Sequence, residues 1–121
     1  MKYVKTMNPN KEENMALSKM TLVEFYNQMA DKNAQDVYLD VRRIEEFNDG
    51  HVQSAKHIPV EELSYRHNEL DRNKNYFIYC KRGGRAQTAF EILRTNGFEN
   101  LVCIYDAGMD LWKENNYPIE S

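Results

Sequence analysis

The stretch Tyr76-Phe77-Ile78-Tyr79-Cys80-Lys81-Arg82-Gly83-Gly84-Arg85-Ala86-Gln87-Thr88-Ala89-Phe90 runs from an apolar segment through a basic, glycine-rich loop into helical spacing. Its first five residues are aromatic or β-branched up to the terminal Cys80, as in a strand buried on both faces. Beyond the loop, Ala86, Ala89, Phe90 and Leu93 recur at i, i+3, i+4 and i+7, Ile92 widens the stripe, and Gly97 is placed to stop the helix. A buried strand that turns tightly into a helix is half of a βαβ unit, so the stretch predicts an α/β domain with a mainly parallel sheet.

The flanking sequence extends the alternation. Val37 to Val41 and Leu101 to Tyr105 are two further short apolar runs, and Lys56 to Ile58 reads as a minimal strand ended by Pro59. Thr21 and Glu24 have capping-box spacing, and Leu22, Phe25, Tyr26 and Met29 then predict a helix to about Ala30. Arg43 to Asn48 reads as a brief helix closed by Gly50, Val60 to Leu70 as a loop with short helical turns, and Gly108 to Asn115 as a helix carrying Trp112. Residues 1–15 are polar and Asn-rich and predict a flexible tail, leaving residues 16–121 as one domain.

Composition bounds the partners. The chain has 121 residues, 41% hydrophobic, with 16 Lys and Arg against 19 Asp and Glu, a net charge of −3. That is core enough for one domain without disulfides, and it gives no electrostatic reason to expect nucleic acid or an anionic membrane as partner. Two cysteines make neither a disulfide framework nor a zinc site, and His51, His57 and His67 show no ligand spacing, so no metal or other cofactor is expected. With no apolar run of signal-peptide or membrane-spanning length, a reducing, cytoplasmic location is predicted.

The chemistry is expected at Cys80. It ends a buried strand, and ligands of open parallel sheets bind beyond such carboxyl ends. Gly83 and Gly84 allow successive N–H groups to turn inward as an anion cradle, and the helix that follows adds positive potential. Five cations and no acid lie between Arg72 and Phe90 (Arg72, Lys74, Lys81, Arg82 and Arg85), leaving 11 cations against 19 acids elsewhere. A thiol in an electropositive loop at a helix N-terminus ionises readily. Cys103, in mid-strand, reads as core. Asp40 in a buried strand needs a partner, and Arg42 or nearby N–H groups are the candidates for a supporting, structural pair. The acidic pairs Glu45-Glu46 and Glu61-Glu62 read as solvated faces.

Leu39-Asp40-Val41-Arg42, Glu46-Phe47, Gly50-His51, Ala55 and Ile58-Pro59 together resemble the first signature of the rhodanese family, and Cys80 to Arg85 is similar to its active-site loop. Asn96-Gly97-Phe98, Val102, Gly108, Trp112 and Tyr117-Pro118 continue the resemblance over roughly residues 20–120. It departs at Ala86, where a hydroxyl residue commonly follows the loop Arg, at Ser54 in place of a usual Gly, and at Ala107 in place of the first of a Gly pair. The resemblance implies a five-stranded, mostly parallel sheet with helices on both faces, and a sulfurtransferase. Cys80 would take a sulfane sulfur from a small anionic donor such as thiosulfate and pass it to cyanide, a thiol or a sulfur-relay protein. Lys81, Arg82, Gly83, Gly84 and Arg85 would bind the donor, with Asp40 and Arg42 in support. The rivals are a phosphatase or arsenate reductase using the same cradle, whose related loops are one residue longer, and a non-catalytic interaction module.

Overall fold

A computed structural model describes residues 17–121, so the tail expected at 1–15 lies outside the described residues. In chain order the elements are β1 (Ser18–Met20), α1 (Leu22–Gln28), β2 (Asp36–Asp40), α2 (Ile44–Asn48), β3 (Lys56–His57), α3 (Val60–Arg66), β4 (Asn75–Tyr79), α4 (Gly84–Thr95), β5 (Leu101–Ile104) and α5 (Met109–Glu114). The strands form one sheet in the order β1-β5-β4-β2-β3, and every neighbouring pair is parallel. The five-stranded parallel α/β architecture is thus as expected.

Alternation along the strands feeds two cores. Leu39, Ile78, Cys80, Leu101 and Cys103 join Leu63 of α3 and Ala86, Ala89 and Leu93 of α4 on one face. Tyr38, Phe77, Tyr79, Val102 and Ile104 join Leu22 and Phe25 of α1 and Met109 and Trp112 of α5 on the other. Helices therefore cover both faces, which is why the strands read as nearly continuous apolar runs. The second core is mainly aromatic: Phe25 meets Tyr38 edge-on at 5.0 Å and lies 5.8 Å from Trp112.

Two elements differ from the sequence reading. β1 was not expected, because Ser18-Lys19-Met20 has no apolar run; it forms by backbone pairing with β5, Ser18 opposite Val102. The segment after Pro59 is a two-turn helix, not a loop with helical turns. A single buried anchor, Leu63, fixes it, and Arg66 ties it to Glu62 at 2.7 Å and Glu69 at 2.9 Å. So thin an apolar stripe gives little helical periodicity to read. The capping box at Thr21 is present, with Glu24 N–H donating to Thr21 Oγ1 at 3.1 Å and Thr21 N–H to Glu24 Oε1 at 3.0 Å.

β4 is the central strand. From it the chain crosses through α4 to β5 on one side, while β2 pairs along its other edge. The crevice past its carboxyl end, where connections depart to opposite sides, is where ligands of such sheets bind. Cys80 is the first residue past that end.

Candidate active site

The loop after β4 is shaped by two backbone approaches, at Gly83 and Gly108, that leave no room for a side chain, whereas a Cβ on Gly84 would meet nothing within 4 Å. Gly83 has φ of +115°, a left-handed conformation, and a Cβ there would stand 2.2 Å from Tyr105 O. On the opposite side, a Cβ on Gly108 would meet Cys80 O at 2.0 Å. That approach lets the start of α5 bind the back of the loop: Met109 N–H donates to Cys80 O at 2.9 Å and Asp110 N–H to Lys81 O at 3.3 Å. With two carbonyls drawn outward, N–H groups face inward. Gly83 N–H and Ala86 N–H point at Cys80 Sγ, at 3.1 and 3.3 Å. The N–H groups of Gly84 and Arg85, first in α4, find no acceptor among the described residues. Cys80 itself is 1% exposed, so it lies on the floor of this cradle.

The surrounding charges are arranged differently from the sequence reading. Of the five cations in the basic window, the structure brings Lys81, Arg82 and Arg85 to the site. Arg72 and Lys74 precede β4, at the opposite end of the strand, where Arg72 donates to Asn96 O and lies 4.6 Å from the Phe98 ring centroid. Arg85 makes a two-pronged ion pair with Glu46, Nη1 to Oε1 at 2.7 Å and Nη2 to Oε2 at 3.1 Å. Arg82, on the outer rim, pairs with Asp110 at 2.9 Å. Lys81, half-buried, has no ion pair among the described residues.

Glu46 is the residue that sequence reasoning missed. It sits in the first turn of α2, accepts Arg43 N–H at 3.0 Å, and is far from the loop in sequence, so an acidic pair on a short helix read as solvated. Hydrogen bonding to Arg85 is the main cause that holds its carboxyl down at about 2; burial opposes this, and Arg43 N–H and the charges of Arg85 and Arg42 assist. A depressed carboxyl contributes stability that is full above the ordinary pKa of about 4.5 and is lost as pH falls towards 2. Acid unfolding of the wild type should therefore show a loss of stability over that window, measured by urea denaturation at successive pH values. In Glu46→Gln that part of the slope should vanish.

Beneath the rim lies a buried pair. Arg42 Nε and Nη2 both reach the Asp40 carboxylate, the shortest contact being 2.7 Å, and Arg42 Nη2 also donates to Gly50 O at 2.8 Å. Asp40 additionally accepts Arg42 N–H at 2.9 Å. Burial alone would lower the Arg42 guanidinium; Asp40 more than offsets it, so Arg42 lies above its ordinary value. Next to the pair, Tyr79 Oη accepts Val52 N–H at 3.1 Å, and burial first, then the Asp40 charge, pushes its phenol well up. Asp40 and Arg42 thus tie the end of β2 to the Gly50 carbonyl, with the Arg42 guanidinium 6.0 Å from the Tyr79 ring centroid at the end of β4. Ser54, at the usual Gly position, adopts φ of 70°, and its N–H donates to Glu120 Oε1 at 3.1 Å.

Cys103 belongs to the same core face as Cys80. It is 5% exposed on β5, and burial pushes its thiol up to about 12, in keeping with a core role. It borders a cavity of about 590 Å³ between α4 and the β1–β5 edge, whose lining does not include Cys80.

A family model described as "Rhodanese-like domain" matches residues 21–115, and the chain belongs to this family. Among solved structures, a protein from Staphylococcus saprophyticus superposes with a TM-score of 0.74 at 29% identity, covering 86% of this chain and 99% of its own. A rhodanese-related protein from Thermoplasma volcanium does so with a TM-score of 0.73 at 28% identity, covering 85% and 97%. By sequence, the protein named "Putative sulfur carrier protein YrkF" of Bacillus subtilis is 33% identical over 74% of this chain and 48% of its own length. A tRNA sulfurtransferase of Mannheimia succiniciproducens is 38% identical over 57% of this chain and 15% of its own. The chain thus spans about half the length of the first relative and a small part of the second.

Proposed function

We propose that the protein is a sulfurtransferase that carries a sulfane sulfur as a persulfide on Cys80. Family membership and the sulfur-transfer names of its relatives support that class of activity. The observation that carries the mechanism is the pair of N–H groups aimed at Cys80 Sγ. They are suited to stabilise negative charge on sulfur, and the N–H groups of Gly84 and Arg85 extend the cradle towards whatever atom lies above it.

In the first half-reaction the Cys80 thiolate attacks the terminal sulfur of a donor such as thiosulfate. A bond forms between Sγ and that sulfur, the donor's own S–S bond breaks, and its electron pair leaves on sulfite. In the second, an acceptor thiolate or cyanide attacks the outer sulfur of the persulfide and the electron pair returns to Cys80 Sγ. Negative charge moves along a line of sulfur atoms, and fixed N–H donors meet it at each position without reorganising. Lys81, Arg82 and Arg85 are the cations around the entrance. A floor residue exposed to only 1% suits a donor whose reacting atom protrudes, as a terminal sulfur does. The four residues between Cys80 and Arg85 make a tighter ring than the related phosphatase loops use. A reducing compartment such as the cytoplasm would keep the thiol available between turnovers.

The test is intact mass after incubation with thiosulfate in the absence of reductant. The wild type and Cys103→Ser should each gain one sulfur atom, and Cys80→Ser should gain none. No adduct on the wild type would sink the persulfide mechanism, and turnover of an aryl phosphate without sulfur loading would favour the phosphatase reading.

A further inference from the structure

We propose that Glu46 sets the charge preference of the site: by holding Arg85 in a two-pronged ion pair it leaves the inner rim without a free guanidinium, so that the loop accepts a singly charged sulfane donor in preference to a doubly charged one. The inference rests on the sulfurtransferase reading and narrows its substrate class to monoanionic donors, an organic persulfide or thiosulfonate.

Three observations carry it. Both terminal nitrogens of Arg85 are engaged by Glu46, within 3.1 Å, and the geometry is the paired fork that makes such contacts strong. The pair is sheltered, Arg85 being 30% and Glu46 20% exposed, so solvent and salt weaken it less than the outer pair, where Arg82 is 77% exposed. Glu46 also stays ionised throughout the neutral range, and Glu61 adds a second negative charge near Arg85. The acids facing the rim are thus Glu46, Glu61 and Asp110, against Lys81, Arg82, Arg85 and, behind them, the internally paired Arg42. Three loop cations offset by three acids favour a dianion far less than the loop sequence alone suggests.

Thiosulfate and methanethiosulfonate separate charge from chemistry. Each presents a terminal sulfur to Cys80; the Sγ–S bond forms, the donor's S–S bond breaks, and the electron pair leaves on sulfite in one case and methanesulfinate in the other. Neither needs an oxidant, and they differ mainly in one negative charge. Persulfide formation on Cys80 is followed by intact mass with each donor, giving kcat/KM for loading, at low and at moderate ionic strength.

Glu46→Gln should raise the thiosulfate-to-methanethiosulfonate ratio about threefold to tenfold at low salt, with the gain shrinking as salt is added. Arg85→Gln, which leaves Glu46 uncompensated, should move the ratio the opposite way, and Asp110→Asn should move it by less than about twofold because its pair is exposed. A merely structural role for Glu46 would slow both donors alike. A ratio unmoved in Glu46→Gln, or displaced in the same direction by Glu46→Gln and Arg85→Gln, overturns the inference while leaving persulfide chemistry intact. Failure of both donors to load the wild type overturns the sulfurtransferase reading instead.

Discussion

Gly108→Ala is expected to slow sulfur loading of Cys80 about a hundredfold, the scale of a displacement of roughly 1 Å at a reacting group. The Cβ would need the space held by Cys80 O, 2.0 Å away, and by Lys81 C, 2.6 Å away. Both are backbone, so the clash cannot be relieved by rotating a side chain. Either the start of α5 withdraws, breaking the bonds from Met109 N–H and Asp110 N–H, or the loop tips and its inward N–H groups leave the sulfur. Overpacking of this kind also costs about 1–3 kcal/mol in stability. Loading kinetics beside urea denaturation would check both effects. Near-wild-type loading would mean that the cradle does not depend on α5.

Arg42→Met is expected to cost about 3–5 kcal/mol, because it leaves the Asp40 carboxylate buried without its cation. Against a total stability of about 5–15 kcal/mol for a domain, that is a large fraction. Adding Asp40→Asn to the same chain should recover more than half of the loss, since what is expensive is the unpaired charge and not the absence of the pair. Chemical denaturation of the two single variants and the double variant measures this. A loss below about 1 kcal/mol in Arg42→Met would show that another group serves Asp40.

What the sequence made legible follows from range. The strand from Tyr76, the helix after Gly84 and the capping box at Thr21 are each specified by neighbours along the chain, and each is where the pattern places it. The curl of Gly83 beside Cys80 was readable for the same reason: one short segment contains both residues. β1 was not, because its reason for being a strand is the exposed edge of β5. Nor was the offset of the rim charges, because Glu46 and Asp110 reach the loop from α2 and α5. The basic window misled in the complementary way. A strand of five residues separates Arg72 and Lys74 from Cys80 by roughly 17 Å at about 3.3 Å per residue, so charges adjacent in sequence are distant in space. Gly108 was visible as a helix start, but its close approach to Cys80 is a property of the packed pair of elements alone.

The parallel sheet also favours one order of assembly over others. A parallel pair has no hairpin to form it, and each one must wait for an intervening crossover. β2 and β4 join Asp36 with Asn75, whereas β1 and β5 join Ser18 with Val102, almost the whole described chain apart. Loop-closure entropy rises with that separation, and the edge strand offers only three residues in return. The centre of the sheet, with the strand that bears Cys80, can therefore be built while β1 still waits for its partner. During synthesis that partner leaves the ribosome only after β4 and α4 have already emerged.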